Sequence, residues 1–190
     1  MNILKGDVNK GEIEIIRSNN EFRTAYFEFI QDHVLFPNGK QGEYSRIEPI
    51  MGGAAVLPIN SNGDFILIKT FRHAIRSFSI EAPRGFIKKN EGPFKAAMRE
   101  LLEEINVVSA DLIHMGFTTP ENSIMNSHVH LLYAHNLIFN ESITNDSDSG
   151  TICEVLSFSK ETMKQKILNN EIRDAYTVNL FLKAMLLGLV

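Results

Sequence analysis

The chain is short of several things, and each shortage removes a class of protein. Cysteine occurs once in 190 residues, as Cys153, which rules out an internal disulfide and fits a reducing compartment such as the cytoplasm. The expected place of Cys153 is a small core residue in a strand. There is no basic stripe: the net charge is −4 and the lysines and arginines are scattered, so no nucleic-acid partner is expected. Long hydrophobic runs are also missing. The longest, residues 178–190, is broken by Asn179 and Lys183 and is too short to span a bilayer, so no membrane partner is expected. The opening MNILKGDVNKGE turns polar too early for the core of a signal peptide. Internal repeats and low-complexity segments are absent, and only NESITNDSDSG (140–150) reads as a polar loop. What remains, 44% hydrophobic and 22% charged, is ordinary composition for one globular domain with a sizeable core.

Against that plain background one segment stands out, GFIKKNEGPFKAAMRELLEEINV (85–107). Gly92 and Pro93 read as an N-cap and first helical residue, since proline's missing N–H costs nothing there. The helix is expected from Pro93 to about Ile105. Phe94, Ala97, Leu101 and Ile105, flanked by Met98 and Leu102, form an apolar stripe that docks it. Glu100, Glu103 and Glu104 stand at i, i+3 and i+4, so their carboxylates share one face within a turn, expected to line an open cleft. They lie at the negative end of the helix dipole, where each acid is disfavoured by about 0.3–1 kcal/mol before mutual repulsion is added. A divalent cation would compensate; a solvated acidic face is the plainer alternative. A calcium surface is disfavoured because the loop oxygens that fill calcium's coordination sphere are missing.

The remaining sequence reads as three zones. Residues 12–49 hold strand-like stretches (EIEII, FRTAYFEFI, HVLF) with a turn at Pro37–Gly39. Residues 52–155 add strands near AAVLPI, DFILIKT, 112–117 and VHLLYAHNLIF around the one long helix, an alternation that suggests a mixed α/β sandwich. Two closing helices are expected, over 159–168, capped by Ser159, and over 173–187. His128 and His130 share a strand face at period two, with His135 on the other; a zinc site would need further ligands, so a structural or solvent-facing role is favoured.

With Gly85, Glu91, Arg99, Glu100, Leu101, Glu103, Glu104 and Val107 in register, the segment resembles the Nudix box, GX5EX7REUXEEXGU. The resemblance implies an α/β fold, a Nudix-type α/β/α sandwich with a mixed β-sheet and an N-terminal β-rich extension. It implies a Mg²⁺ or Mn²⁺ cofactor and hydrolysis of a nucleoside diphosphate linked to another group. Glu100 and Glu104 would be metal ligands, Glu103 a ligand or the group handling the attacking water, and the Arg84 carbonyl a further ligand. Arg99 and Glu91 would support them, because a guanidinium fork can hold two carboxylates in place. Asn106 replaces the final glycine of the box, at a helix stop where asparagine tolerates the left-handed conformation.

TFRHA (70–74), IEAPRGFI (80–87) and HVLFPNGKQGEY (33–44) are similar to the corresponding stretches of the ADP-ribose pyrophosphatase branch of that family. This implies that Arg72 binds the substrate's diphosphate or adenosine side and that Glu81 contacts a ribose or supports the metal loop. His73 is a further, weaker candidate for substrate contact. Arg84 stands where the branch commonly has a small residue, and offers either an extra phosphate contact or a change of substrate. For the general base Glu103 is preferred; Glu121 in TTPENSIMN is the other candidate, with Asp146, Asp148 and Glu154 lacking a clean match. The implied substrate is ADP-ribose or a related nucleotide sugar, the alternative being a domain that binds a nucleotide metabolite without cleaving it. Residues 1–49 are expected as a dimerisation segment and 50–190 as the catalytic domain, since a small β flap with many apolar faces needs cover.

Overall fold

The computed structural model describes residues 11–140 and 150–190. The start of the chain, and Asp146 and Asp148 with their loop, lie outside the described residues. The rest packs as two units, one of residues up to Met51 together with 121–127, the other of 52–120 and 128–190. The first unit therefore gathers a segment distant in sequence along with the N-terminal strands.

In the first unit, β1 (Glu14–Arg23), β2 (Phe27–Leu35) and β3 (Gln41–Pro49) form an antiparallel meander. The stretch FRTAYFEFI is not one strand. Thr24 Oγ1 accepts from the peptide N–H groups of Tyr26 and Phe27 at 3.0 and 3.1 Å, which folds residues 24–26 into the β1–β2 turn. Gly39 has φ 80°, the left-handed value that the β2–β3 turn requires. Alternate residues of β2, namely Ile30, Asp32 and Val34, are buried. Asp32 is satisfied within the sheet by Arg46 Nε at 2.6 Å and Ser18 Oγ at 2.5 Å. Segment 121–127 joins through a parallel bridge between Ile47 and Met125.

The second unit carries the expected sandwich. One sheet has the order β7-β4-β9-β8, from β4 (Gly53–Pro58), β7 (Arg84–Phe86), β8 (Val107–Thr118) and β9 (Val129–Phe139). It is mixed: β4 and β9 are parallel, the other pairs antiparallel. The other sheet, β10-β5-β6, is antiparallel, from β5 (Phe65–Arg72), β6 (Ser77–Glu81) and β10 (Ile152–Phe158). The near-continuous apolar runs of β4, β5 and β9 follow from burial on both faces. Ala54, Val56, Ile66, Ile68, Leu132 and Ala134 pack with α1 (Pro93–Ile105). Their neighbours Ala55, Leu57, Phe65, Leu67, Leu131 and Tyr133 join the opposite core, with residues of α2 (Lys160–Leu168) and α3 (Ala175–Leu186). The period of two thus sorts one strand's residues into two cores, with a helix layer over each.

Both closing helices start on side-chain caps. Ser159 accepts from Thr162 N in α2, and Asp174 accepts from Thr177 N in α3, so α3 begins after Asp174 rather than at Arg173. Cys153 lies on β10 but is exposed, not in the core. Among the described residues no helix is long and apolar enough to cross a membrane.

Candidate active site

Helix α1 runs from Pro93 to Ile105 with Gly92 as N-cap, and stops at Asn106 in the left-handed conformation, φ 59° and ψ 28°. Its buried stripe is Ala96, Ala97, Glu100, Leu101 and Ile105. Phe94, expected in the stripe, is exposed, as is Leu102 at its flank. Small residues dock the helix instead, and they let it lie close enough to the sheet to bury Glu100. The three acids therefore do not share one environment: Glu100 is 7% exposed, Glu104 is half-buried, and the Glu103 side chain is 37% exposed.

Gly85 explains how a glutamate fits there. A Cβ at Gly85 would come within 1.9 Å of Glu100 Oε1, so β7 passes against that carboxylate, and any side chain there would displace it. Arg99 gathers the surrounding charge. Its Nε and Nη2 donate to the two oxygens of Glu91, both at 3.1 Å, and Nη2 also donates to the Phe86 carbonyl at 2.8 Å. Its Nη1 donates to Glu100 Oε1 at 2.6 Å and to Glu103 Oε2 at 3.0 Å. One guanidinium thereby ties the loop before α1 to two acids on the helix, and holds the Glu91 carboxyl below the usual carboxylate range.

Glu104 is left out of that network. Its Oε2 accepts the Arg84 peptide N–H at 3.1 Å, and no cation stands within ion-pair distance among the described residues. Burial, reinforced by the neighbouring Glu100 charge, pushes its carboxyl up to about 8. Burial raises the Glu100 carboxyl as well, despite Arg99. The fold thus gathers three acids here, of which Arg99 pairs with Glu100 and Glu103 and leaves Glu104 to a peptide N–H. The donors are all oxygens, the chemistry a hard divalent cation selects, and uncompensated carboxylates are what such an ion relieves. Among the described residues no three His, Cys, Asp or Glu side chains are already gathered as a cage, because Arg99 holds Glu100 and Glu103 while the Arg84 amide holds Glu104.

A second polar cluster adjoins through Arg84. Glu81, 2% exposed, takes Arg72 through Nε at 3.1 and 3.0 Å and through Nη2 in a shorter contact, and takes Arg84 Nη2 at 2.9 Å. Burial would raise the Glu81 carboxyl, but the Arg72 hydrogen bond and the Arg84 and Arg72 charges hold it below its ordinary value. Arg84 Nη2 also reaches Asp174 Oδ1 at 3.2 Å, and its guanidinium lies 4.4 Å over the Tyr176 ring. Asp174 and Tyr176 were not foreseen. An aspartate opening a predicted helix signals a cap, but nothing in the local pattern signals that its second oxygen serves a residue 90 positions away.

The other candidates have surroundings of their own. Glu121 belongs to the first unit, where it accepts from Ser123 Oγ. Glu154 is exposed on β10. His73 Nδ1 accepts from Arg76 at 2.8 Å, and His130 pairs at 2.9 Å with His114 of β8 rather than with His128.

These features, a glycine against a buried glutamate and an arginine tying Glu91 to the helix acids, define a Nudix box in three dimensions. The Nudix domain model matches residues 49–178, and the chain belongs to the Nudix family, as a Nudix hydrolase. It is similar to the ADP-ribose pyrophosphatase of Bacillus subtilis (strain 168), 27% identical over 168 residues, 87% of this chain and 89% of that protein. It is also similar to the ADP compounds hydrolase NudE of Escherichia coli (strain K12), 27% identical over 124 residues, 65% of this chain and 66% of that protein. The methanol dehydrogenase activator of Bacillus methanolicus is 22% identical over 167 residues, 88% of this chain and 89% of that protein. A crystal structure of an ADP compounds hydrolase shares the fold, with TM-score 0.80 and 20% identity over 97% of this chain and 95% of that one.

Proposed function

We propose that this chain hydrolyses the diphosphate bond of a nucleoside diphosphate derivative, ADP-ribose or a related nucleotide sugar, to a nucleoside monophosphate and a sugar phosphate. The observation that carries the reading is the geometry of the box acids: Arg99 donates to Glu100 and Glu103, while the Arg84 peptide N–H alone holds Glu104, on a helix that follows the Nudix box at every position but Asn106. The name of the B. subtilis relative, matched over most of both chains, supports ADP-ribose as the substrate.

Glu100, Glu103 and Glu104 would hold Mg²⁺ or Mn²⁺, with the Arg84 carbonyl as a further oxygen. Such a cation, when bound, neutralises diphosphate oxygens and lowers the pKa of water. Arg99 and Glu91 keep Glu100 and Glu103 from swinging away. Glu103, whose side chain is 37% exposed, would accept a proton from the attacking water. Arg72, aimed by Glu81 and 38% exposed, offers its remaining N–H groups to the substrate's diphosphate.

The first unit exposes Ile16, Phe22 and Tyr26 by more than half, and a homodimer formed through it would cover them. The exposed lone thiol fits a reducing cytoplasm. Incubation with ADP-ribose and Mg²⁺, with products separated by chromatography, tests the reaction. AMP and ribose 5-phosphate are expected. Tight binding of the intact nucleotide without cleavage would favour a sensor instead.

A further inference from the structure

Ala82 and Pro83, between β6 and β7, and Arg84, which opens β7, lead into the Nudix box and are fastened to the first turn of α3. The Ala82 peptide N–H donates to Thr177 Oγ1 at 2.8 Å, and Thr177 is fully buried. Thr177 Oγ1 in turn donates to Asp174 Oδ2 at 2.7 Å, the oxygen that also caps the helix by accepting from Thr177 N at 2.9 Å. The other oxygen, Oδ1, accepts from Arg84 Nη2 at 3.2 Å. Tyr176 lies under the same guanidinium, 4.4 Å from ring centre to Cζ. With Glu81 on its remaining side, the Arg84 side chain is held from three directions and is 25% exposed. That is the environment of a strut rather than of a free phosphate contact.

What the strut fixes is its own backbone, whose N–H holds Glu104 Oε2 at 3.1 Å. A carboxylate with one oxygen pinned presents the other in a defined direction, and that pre-orientation lowers the cost of taking a cation. We infer that Asp174 and Tyr176 are positioning residues of the active site, setting the aim of Glu104 through Arg84. The inference rests on the reading of Glu104 as a cation ligand. It also gives Arg84 a reason to be arginine, since a small residue there would lose the side-chain tie from β7 to α3.

The cap and the strut use different oxygens of Asp174, so they can be separated. Asn and Ser both cap helices about as well as Asp, yet D174N faces Arg84 with a donor and D174S cannot reach it. Mn²⁺ binding to wild type, D174N, D174S, R84K and E104Q, followed by EPR without substrate, reads the site directly. Melting midpoints in EDTA accompany it. D174N and D174S should melt within about 2 °C of wild type and bind Mn²⁺ roughly 10–100-fold more weakly. R84K, which keeps the charge but loses the fork and the flat face, should weaken binding similarly. With ADP-ribose, the same variants should show a raised Mg²⁺ requirement or lower kcat at an unchanged KM. Wild-type Mn²⁺ affinity in D174N and D174S, alongside weakened binding in E104Q, would overturn the strut and leave the acids' assignment standing. So would a loss of affinity that merely follows a fall in melting midpoint. Wild-type affinity in E104Q would instead remove Glu104 from the site and the inference with it.

Discussion

Replacing Glu104 with glutamine should make the metal-free protein more stable at alkaline pH while destroying its activity. The folded state holds this carboxyl at about 8 against an ordinary 4.5, so it binds the proton more tightly than the unfolded chain does. Stability from this group is fully present below about pH 4.5 and is lost progressively as the pH rises through 8. The gap corresponds to about 5 kcal/mol above pH 8 and about 3 kcal/mol at pH 7. Residual contact with water and the shared titration with Glu100 reduce the measurable part to about 2 kcal/mol. Glutamine keeps an oxygen for the Arg84 N–H and carries no charge, so E104Q escapes the penalty. Urea unfolding in EDTA from pH 5 to 8.5 measures it: the two proteins should agree closely near pH 5 and diverge to about 2 kcal/mol in the variant's favour at pH 8. Groups common to both proteins cancel in the difference. Saturating Mg²⁺ at pH 8 should stabilise the wild type and close the gap, with little effect on the variant. A difference independent of pH, or a variant less stable at pH 8, would refute the claim that Glu104 is a buried, uncompensated charge.

Gly85→Ala places a methyl against the Glu100 carboxylate, and should cost about 1–3 kcal/mol in urea unfolding as well as activity; wild-type stability would mean that β7 does not press on Glu100. Arg99→Lys cannot serve Glu91, Glu100, Glu103 and the Phe86 carbonyl together, and should lower kcat about 10–100-fold in steady-state assays. Leu101→Ala, in the core beneath α1, should cost about 2–5 kcal/mol without changing the metal requirement of the folded fraction. Light scattering at micromolar concentration should give the mass of two chains, and Phe22→Asp should shift it towards one.

The helix was legible because its signals are local. Pro93, the 3.6-residue spacing and Asn106 mark the ends and faces of α1 within its own sequence, and the sheet strands show themselves as apolar runs. What escaped was a local turn resting on a single hydroxyl, and contacts set by distance. The turn at residues 24–26 breaks FRTAYFEFI through one threonine hydroxyl, and segment 121–127 joins β3 across some 79 positions. The spacing of Glu100, Glu103 and Glu104 put them on one side of the helix. Their separate environments came from Gly85 and Arg84 on another element, as did the second use of Asp174.

The central claim is that these three glutamates make a metal-dependent diphosphate hydrolase, and the most direct measurement is ADP-ribose turnover with product identification in wild type, E103Q and E104Q. Wild type should release AMP only when Mg²⁺ or Mn²⁺ is present, and each variant should lose roughly 10²–10⁴-fold of that rate while remaining folded. Mg²⁺-dependent AMP release at wild-type rates from either variant would contradict the account.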